Sequence, residues 1–474
     1  MEKRYNLITA IAMVVGIVIG AGVFYKAQDV LKITNGNVLT GALAWIVGGI
    51  IMIIMGTTFA ILATKFSKIN GVVDYADATV GKKYGDFMAW FVAAIYYPAV
   101  AGVMAWLCAR YTGALFGWRL DSANVMTLGV LYLVLSYAIN TLAPMLAGKI
   151  QVSTTIIKLI PLALLAVVGT IYGLCNTDVS FVVAGDEVIK EGGGHMQILI
   201  ENIKANMSFD SKGFLNALVA TAFAYEGWII ATSIAGEIKD SKKNLPKALL
   251  FGTSIIMVVY LFYYVGVLGG ATTDVLMHGG AIYAFKEIFG EFFGVILSVF
   301  VVISCVGTLN GVMMANTRGF YTLAMRDVCP KASMMKKIDE YTKMPNNSGI
   351  IGLAMAAIWF VFFYGANVSS NNWFGFLAFD SSELPIITIY LLYLPMLVMM
   401  IVKGHRELGW FKGIVMPVLA LGCSGFMVFA AIFKHGMATL GYLIVFMVIM
   451  SFACFMIFKK SKNKIAEEEI LGDE

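Results

Sequence analysis

Charge is scarce in this sequence. Only 13% of its 474 residues are charged and 59% are hydrophobic, whereas a soluble globular domain carries about 25% charged residues. The composition therefore excludes an ordinary soluble domain. The net charge of +5 does not indicate a nucleic-acid partner, because the basic residues are spread over the segments that separate the apolar runs.

Cysteine and histidine are also sparse. The six cysteines show no CxxC and no paired spacing, and the four histidines all lie in predicted loops or at the ends of apolar segments. We therefore expect no disulfide framework, no metal centre and no histidine proton relay across a membrane. The sequence contains no nucleotide-binding loop and no nucleophile–base constellation, so we expect neither an enzyme nor a cofactor.

Long apolar runs, by contrast, recur along the whole chain. Each is about 20 residues or longer, which is enough to cross a hydrocarbon core of about 30 Å. We predict twelve transmembrane helices, at about 6–33, 38–63, 86–116, 124–143, 149–174, 212–235, 248–270, 292–324, 349–367, 376–402, 413–433 and 437–458. The first run has no small-residue cleavage site, so we expect no cleavable signal peptide.

Lysine and arginine indicate the orientation of these spans. With the N-terminus inside the cell, the inside loops hold 23 of these residues and the outside loops hold seven. Cytoplasmic loops are enriched in lysine and arginine, so we expect a multi-pass protein of the plasma (inner) membrane with both termini in the cytoplasm. The lipid bilayer is then its surroundings, and no obligate protein partner is evident.

Two predicted spans are interrupted by glycine at matching places. Span 1 contains Gly16–Gly22, read as GIVIGAG, and span 6 contains Phe223–Trp228, read as FAYEGW. Broken helices five spans apart indicate an inverted-repeat transporter whose site lies at the breaks, where freed backbone groups line a cavity. The alternative is that the glycines only let neighbouring helices pack closely.

The two breaks offer complementary groups to a ligand. A half-helix that begins near Gly20–Gly22 presents free N–H groups and a positive dipole end, which suit a carboxylate. Unwound carbonyls at Phe223–Trp228 suit an α-ammonium, and the aromatic rings there either line a small apolar pocket or pack between helices. The predicted substrate-binding residues are Gly20, Ala21, Gly22, Val23, Phe223, Ala224, Tyr225, Glu226, Gly227 and Trp228.

Four ionisable residues lie within or at the ends of apolar runs. Lys158 is about 13 Å into span 5, near the middle of the hydrocarbon core, where it needs carbonyl or hydroxyl partners. Glu226 lies inside the second break, as a gating or structural hydrogen-bonding group or as a substrate contact. Asp380 and Glu383 open span 10 with the spacing of a capping box, so we predict that they cap its helix.

These residues resemble a known family. Gly16–Phe24, GIVIGAGVF, is similar to the first-helix signature of the amino acid–polyamine–organocation superfamily, and 225–249 and 304–326 resemble its sixth and eighth helices. Thr154–Pro161, TTIIKLIP, resembles the fifth helix of its L-amino acid transporter branch, in which bacterial serine/threonine and alanine/serine/cysteine exchangers are most similar. The chain departs from the family at 70–72, Asn-Gly-Val, where a Pro/Ser-Gly-Gly turn is common.

The resemblance implies an all-α membrane fold of the leucine-transporter type, with a 5+5 inverted repeat and two extra helices. It implies carboxylate binding at Gly20, Ala21 and Gly22, and ammonium binding at the carbonyls of Phe223, Ala224 and Glu226. It further implies that Lys158 replaces a coupling sodium ion, with the Gly16 region and Ser304 as partners. The implied units are a first repeat at 1–175, an extracellular loop at 176–211, a second repeat at 212–402, helices 11 and 12 at 403–458 and a cytoplasmic tail at 459–474.

The expected function is sodium-independent secondary transport of small neutral L-amino acids by alternating access, with exchange favoured. Proton-coupled symport stays open, as does polyamine or organic-cation uptake, which acids such as Glu226, Asp380 and Glu383 would serve. An amino-acid sensor that does not transport is less favoured, because we expect no appended signalling domain after Lys459.

Overall fold

The structure is a computed structural model that describes residues 6–65, 71–119, 121–185, 187–190, 197–204, 208–231 and 238–472. The elements of the first 204 residues are α1 (Leu7–Val18), α2 (Gly22–Ile33), α3 (Val38–Lys65), α4 (Val72–Thr79), α5 (Lys82–Phe91), a π-helical turn (Val92–Tyr96), α6 (Tyr97–Leu115), α7 (Ala123–Leu142), α8 (Pro144–Ile157), α9 (Leu159–Leu164), a second π-helical turn (Leu165–Gly169), α10 (Thr170–Cys175), β1 (Phe181–Ala184), β2 (Glu187–Lys190) and α11 (Ile198–Lys204). The remaining elements are α12 (Ser211–Tyr225), α13 (Trp228–Ala231), α14 (Ser241–Gly270), α15 (Thr273–Gly279), α16 (Ala281–Met325), α17 (Ala332–Met335), α18 (Asn346–Asn367), a 3-10 turn (Gly375–Leu377), α19 (Leu384–Trp410), a third π-helical turn (Phe411–Val415), α20 (Met416–His435) and α21 (Ala438–Gly472).

Within the described residues, ten helical stretches are long and apolar enough to cross a membrane. They correspond to predicted spans 2–5 and 7–12, and most of their ends lie a few residues from the predicted ones. The largest difference is at span 8, where helical residues begin at Ala281 rather than at 292. A kink explains it, because Gly290 has a φ of 77°, which glycine adopts far more readily than other residues.

The two other predicted spans are interrupted, as their glycines predict. α1 ends at Val18 before α2 begins at Gly22, and α12 ends at Tyr225 before α13 begins at Trp228. In the second gap Gly227 has a φ of 109°, a backbone conformation that side chains disfavour. Both predicted breaks are confirmed, although residues 232–237, which follow the second one, lie outside the described part of the chain.

Polar connections gather at two opposite faces of the helix bundle. The hairpin face carries α11 and the antiparallel pair β1–β2, in which Phe181 is opposite Lys190. The terminal face carries α4 and α17, near the end where α1 begins. The sequence predicted only a loop at 176–211, so the hairpin and α11 are additions; residues 186 and 191–196 of that loop, and Asn70 of the predicted 70–72 departure, lie outside the described residues.

The buried core surrounds the interrupted helices and is rich in aromatic rings. Trp45 of α3 lies 5.6 Å from Tyr225 and 5.7 Å from Tyr260, ring centroid to ring centroid, in edge-to-face geometry. All three side chains are among the largest that are fully buried. Rings in this geometry attract each other beyond their burial, so α3 and α14 hold the end of α12 from two sides.

Glycines join span 5 to α14 in the half nearest the hairpin face. Gly169 and Gly173 approach Gly266 and Gly269 so closely that a Cβ on any of the four would overlap backbone atoms of the other helix. Small residues permit this kind of contact between membrane helices. We call these four residues the glycine seam.

Span 5 is divided at Lys158, on the terminal-face side of the glycine seam. Pro161 lacks an N–H group, and its ring clashes with the carbonyl of the residue four positions earlier, which is Ile157. α8 ends at that residue, and α9 begins at Leu159. The proline therefore places Lys158 at a joint between two helical segments.

Candidate functional site

The two interrupted helices meet directly at their breaks. A Cβ built on Gly22 would lie 2.8 Å from the Cα of Ala224 and 3.2 Å from the carbonyl oxygen of Phe223. The start of α2 therefore lies against the end of α12, backbone to backbone. The structure brings together the two segments that the sequence predicted as one site.

A tyrosine that the sequence analysis did not predict links the two breaks. The hydroxyl of Tyr260 in α14 lies 3.2 Å from the carbonyl oxygen of Val18 and 3.1 Å from that of Ala224. Its single O–H proton can donate to one of these two carbonyls at a time, and both belong to the last turns of their helices, where carbonyls have no partner within the helix. The carbonyl of Ala224, predicted as an ammonium acceptor, thus shares one donor with the carbonyl of Val18.

Backbone N–H groups at the start of α2 are available for an anion. The first turn of any helix leaves N–H groups without acceptors in the helix, and here that turn contains Gly22 and the fully buried Val23. The preceding N–H, of Ala21, donates to the Thr308 hydroxyl oxygen over 3.4 Å. The positive end of the α2 dipole adds to these donors, so this end of α2 can bind a carboxylate.

The three predicted pocket aromatics separate in the structure. Tyr225 donates its hydroxyl to the carbonyl of Trp45 at 2.8 Å, and Trp228 packs 5.5 Å from the Phe59 ring. Both are therefore held in contacts between helices. Phe223 lies nearer the hairpin face, with its ring 6.3 Å from that of Tyr25, and it is the one of the three that borders the start of α2.

Glu226 lies half-buried in the second break, beside the π-helical turn of span 3. Its Oε1 accepts a hydrogen bond from the hydroxyl of Tyr96, while its buried Oε2 has no hydrogen-bond partner within the described structure. π-Helical turns are frequent at functional sites because they shift side chains out of the regular helical register. One carboxylate oxygen of Glu226 is thus left for a ligand, a water molecule or a proton.

Lys158 reaches the first break from the joint in span 5. Its Nζ donates to the carbonyl oxygen of Gly16, and its side chain is only 2% exposed. The other predicted partner, Ser304, has a buried hydroxyl without any hydrogen-bond partner among the described atoms. Thr308, one helical turn further along α16, contacts the first break instead. The sequence alone could not distinguish between these two positions.

A buried ionic cluster closes the hairpin face beside α2, and it corrects the predicted capping box. Glu383, 2% exposed, binds Lys26 at 2.9 Å, Lys434 at 2.6 Å and His435 at 3.1 Å. It makes no side-chain capping bond to α19, and Asp380 instead accepts from the N–H and hydroxyl of Ser382. Capping was the wrong prediction for Glu383, because two lysines and a histidine from other helices surround its carboxylate.

At the terminal face, a cavity of about 270 Å³ lies between α4, α6, α13 and α16. It reaches Tyr97 and Ile229, which neighbour Tyr96 and Trp228. Beyond it Arg326 binds Asp77 and Asp86, each at 2.6 Å. This cavity brings open space on the terminal side up to residues that neighbour the second break.

Comparison with known proteins identifies the family of this chain. The family model for amino acid permeases matches residues 5–457, nearly the whole chain. This chain belongs to the amino acid permease family. The permease is a multi-pass membrane protein of a family of amino-acid transporters, and it is not an enzyme.

Individual relatives of the permease are themselves transporters. It is 26% identical over 435 residues to the serine/threonine exchanger SteT of Bacillus subtilis, covering 90% of both chains. It is 25% identical to the human large neutral amino acids transporter small subunit 2 and to the mouse Asc-type amino acid transporter 1. Those two matches cover 73% of the permease and 62% of each relative, so the permease spans under two thirds of their length.

Proposed function

We propose that the permease is a sodium-independent exchanger of small neutral L-amino acids that works by alternating access. The observation that carries this proposal is the contact between the start of α2 and the end of α12, Gly22 against Ala224. This contact places N–H donors for a carboxylate and carbonyl acceptors for an ammonium close enough for one amino acid to bind both. The site residues proposed are those of the two breaks, with Phe223 beside the substrate side chain.

Lys158 supports the absence of sodium coupling. Its ammonium is held by covalent attachment near the first break and donates to the Gly16 carbonyl. A sodium ion would need the same kind of oxygen, but it could enter and leave with substrate. A tethered cation cannot dissociate, so it provides charge without coupling transport to a sodium gradient.

The preference for small neutral substrates is supported by the closeness of the two breaks and by the relatives. Gly22 and Ala224 leave little depth between the half-helices. The relatives include proteins named for serine/threonine exchange and for large neutral amino acids. We infer a small side chain from the geometry, and exchange from the first of these relatives.

The proposed architecture counts the two interrupted helices with the ten continuous stretches, which gives twelve transmembrane helices. They would form a 5+5 inverted repeat at 1–175 and 212–402, joined by the loop 176–211 and followed by two extra helices at 403–458 and a tail at 459–474. The charge distribution supports a plasma-membrane protein with the terminal face and both termini in the cytoplasm. No protein partner is required in this proposal.

Two observations favour a second candidate, proton-coupled symport. The Oε2 atom of Glu226 is buried without a hydrogen-bond partner in the described structure, and Lys158 has no described carboxylate as a counter-ion. Either group is therefore placed to gain or lose a proton during the cycle. Polyamine uptake is less supported, because Glu383 is already bound to Lys26 and Lys434.

An uptake panel in proteoliposomes tests the proposal. Labelled amino acids are offered to vesicles with and without internal L-serine, with sodium or choline outside, and with or without a pH gradient. We expect rapid uptake of small neutral amino acids that needs internal substrate and is insensitive to sodium, with esters, des-amino analogues and putrescine competing poorly. Uptake that rises steeply with sodium would refute the proposal, and uptake into empty vesicles driven by a pH gradient would favour symport.

A further inference from the structure

Arg110 of α6 lies at the hairpin face in a setting built for an anion. Its guanidinium carbon is 5.1 Å from the ring centroid of Tyr25, 5.3 Å from that of Trp106 and 5.6 Å from that of Tyr111. A guanidinium over aromatic faces is stabilised and held in orientation. Three rings around one cation therefore fix its position without neutralising it.

The hydrogen bonds of Arg110 leave most of its donors unused. One terminal nitrogen donates to Gln28 Oε1 at 2.7 Å, and Gln28 is anchored in turn because its Nε2 donates to the carbonyl of Met277 at 3.0 Å. Within the described residues, no carboxylate forms an ion pair with Arg110. Arginine has five N–H donors in a planar fork that matches a carboxylate, so the group is oriented but not paired.

Arg110 lines a cavity of about 510 Å³, which we call the vestibule. Its lining includes Tyr25, Asp29, Lys32, Trp106 and Arg119. A volume of this order suits a small molecule. Asp29, 23% exposed and 3.3 Å from Lys26, provides a carboxylate in the same space, so the vestibule offers both an anion-binding and a cation-binding group.

The vestibule lies next to the breaks and is separated from them by one aromatic layer. The ring of Tyr25 is 5.9 Å from that of Trp106 and 6.3 Å from that of Phe223. Tyr25 thus contacts the vestibule on one side and, through Phe223, the second break on the other. A molecule in the vestibule would have to displace this layer to reach the breaks.

We propose that the vestibule is a second amino-acid site, in which Arg110 binds the α-carboxylate and Asp29 receives the α-ammonium before the substrate reaches the breaks. A simple anion would use the cationic side chains of the vestibule alone, whereas a zwitterion also uses the carboxylate of Asp29. The inference rests on the proposed transport function, because its occupant is the transported amino acid. It adds a site that only molecules arriving from the hairpin face occupy.

The test compares the two faces of the membrane with the full chain. Uptake of labelled L-serine is measured into intact cells and into inside-out vesicles, with the side of the hairpin loop established by protease access. Arg110→Gln should raise the KM at the hairpin face about tenfold, which corresponds to about 1.4 kcal/mol. The KM at the terminal face and the kcat at both faces should stay within about twofold, since the breaks are untouched.

Two further variants separate binding from structure. Arg110→Lys keeps the charge but loses the fork and the stacking, so we expect an intermediate KM at the hairpin face. Arg119→Gln is the matched control, because Arg119 lines the same vestibule but is 84% exposed and paired with Asp121 at 3.2 Å; its KM should not change.

The outcomes distinguish this inference from the proposed function. An unchanged KM in Arg110→Gln, or an equal rise at both faces, would overturn the vestibule site while leaving transport established. A parent protein that does not move amino acids at all would overturn both. A rise confined to the hairpin face supports the site, because a purely structural role of Arg110 would affect both directions.

Discussion

Two lysines in this permease are equally buried and differently partnered. Lys26 on α2 is 1% exposed and lies 2.9 Å from Glu383 and 3.3 Å from Asp29. Lys158 at the joint of span 5 is 2% exposed and donates to the Gly16 carbonyl, with no ion pair to a described carboxylate. Burial alone therefore does not define the role of a membrane lysine; its partners do. The first lysine ties helices together, and the second donates to a backbone carbonyl beside the breaks with no described carboxylate as its partner.

The largest loss of stability should come from replacing Glu383, the buried carboxylate that binds Lys26. Glu383→Gln removes the buried carboxylate shared by Lys26 and Lys434 and leaves Lys26 with only the partly exposed Asp29. Breaking a buried ion pair by removing one partner costs about 3–5 kcal/mol. We expect a low yield of folded protein and a clear fall of the Tm in detergent. Asp121→Asn is the control, because its ion pair with the 84% exposed Arg119 should contribute no more than about 1 kcal/mol. Equal Tm values for the two variants would contradict the tying role of Glu383.

Replacing Lys158 should lower activity more than stability, which is the opposite of the effect expected at Lys26. Lys158→Ala leaves one backbone carbonyl without its donor, a cost of about 1–3 kcal/mol, but it removes the cation beside the first break. We expect the exchange rate per folded molecule to fall at least about tenfold, while the protein is purified in good yield. Lys26→Ala should reverse this ranking, with stability lost first. A Lys158→Ala variant that exchanges at the parent rate would remove the basis for sodium independence.

The smallest expected effect concerns the contact between the breaks. Gly22→Ala places a Cβ 2.8 Å from the Ala224 Cα, and overpacking of this kind costs about 1–3 kcal/mol. We expect a raised KM with a modest loss of Tm. Gly148→Ala in α8 is the control, since a Cβ there meets nothing within 4 Å and should stabilise the helix by up to about 1 kcal/mol. If both variants kept the parent KM, the breaks would not need their close approach.

Local patterns in the sequence predicted the parts of the site that backbone chemistry determines. Glycine at 20 and 22 predicted the gap between α1 and α2, and the long apolar runs predicted the continuous helices, because both features depend on neighbouring residues. Glu383 was misassigned since its partner Lys26 is 357 positions away, and no local pattern carries that distance. Tyr260 and Tyr96 were missed for a related reason: the sequence contains 21 tyrosines, and neither of these two stands out before the fold is known.

The glycine seam has a mechanical consequence for the division of span 5. The half beyond Pro161 is fastened to α14 by backbone contact, so it has no freedom to tilt alone, whereas α8 is attached to it only through the joint. Any tilt of α8 then pivots near Lys158. A rotation of about 10° would move the far end of α8, which is about 20 Å away at a rise of about 1.5 Å per residue, by about 3.5 Å. It would scarcely displace a residue at the pivot. Lys158 can therefore keep its hydrogen bond to the Gly16 carbonyl while α8 tilts.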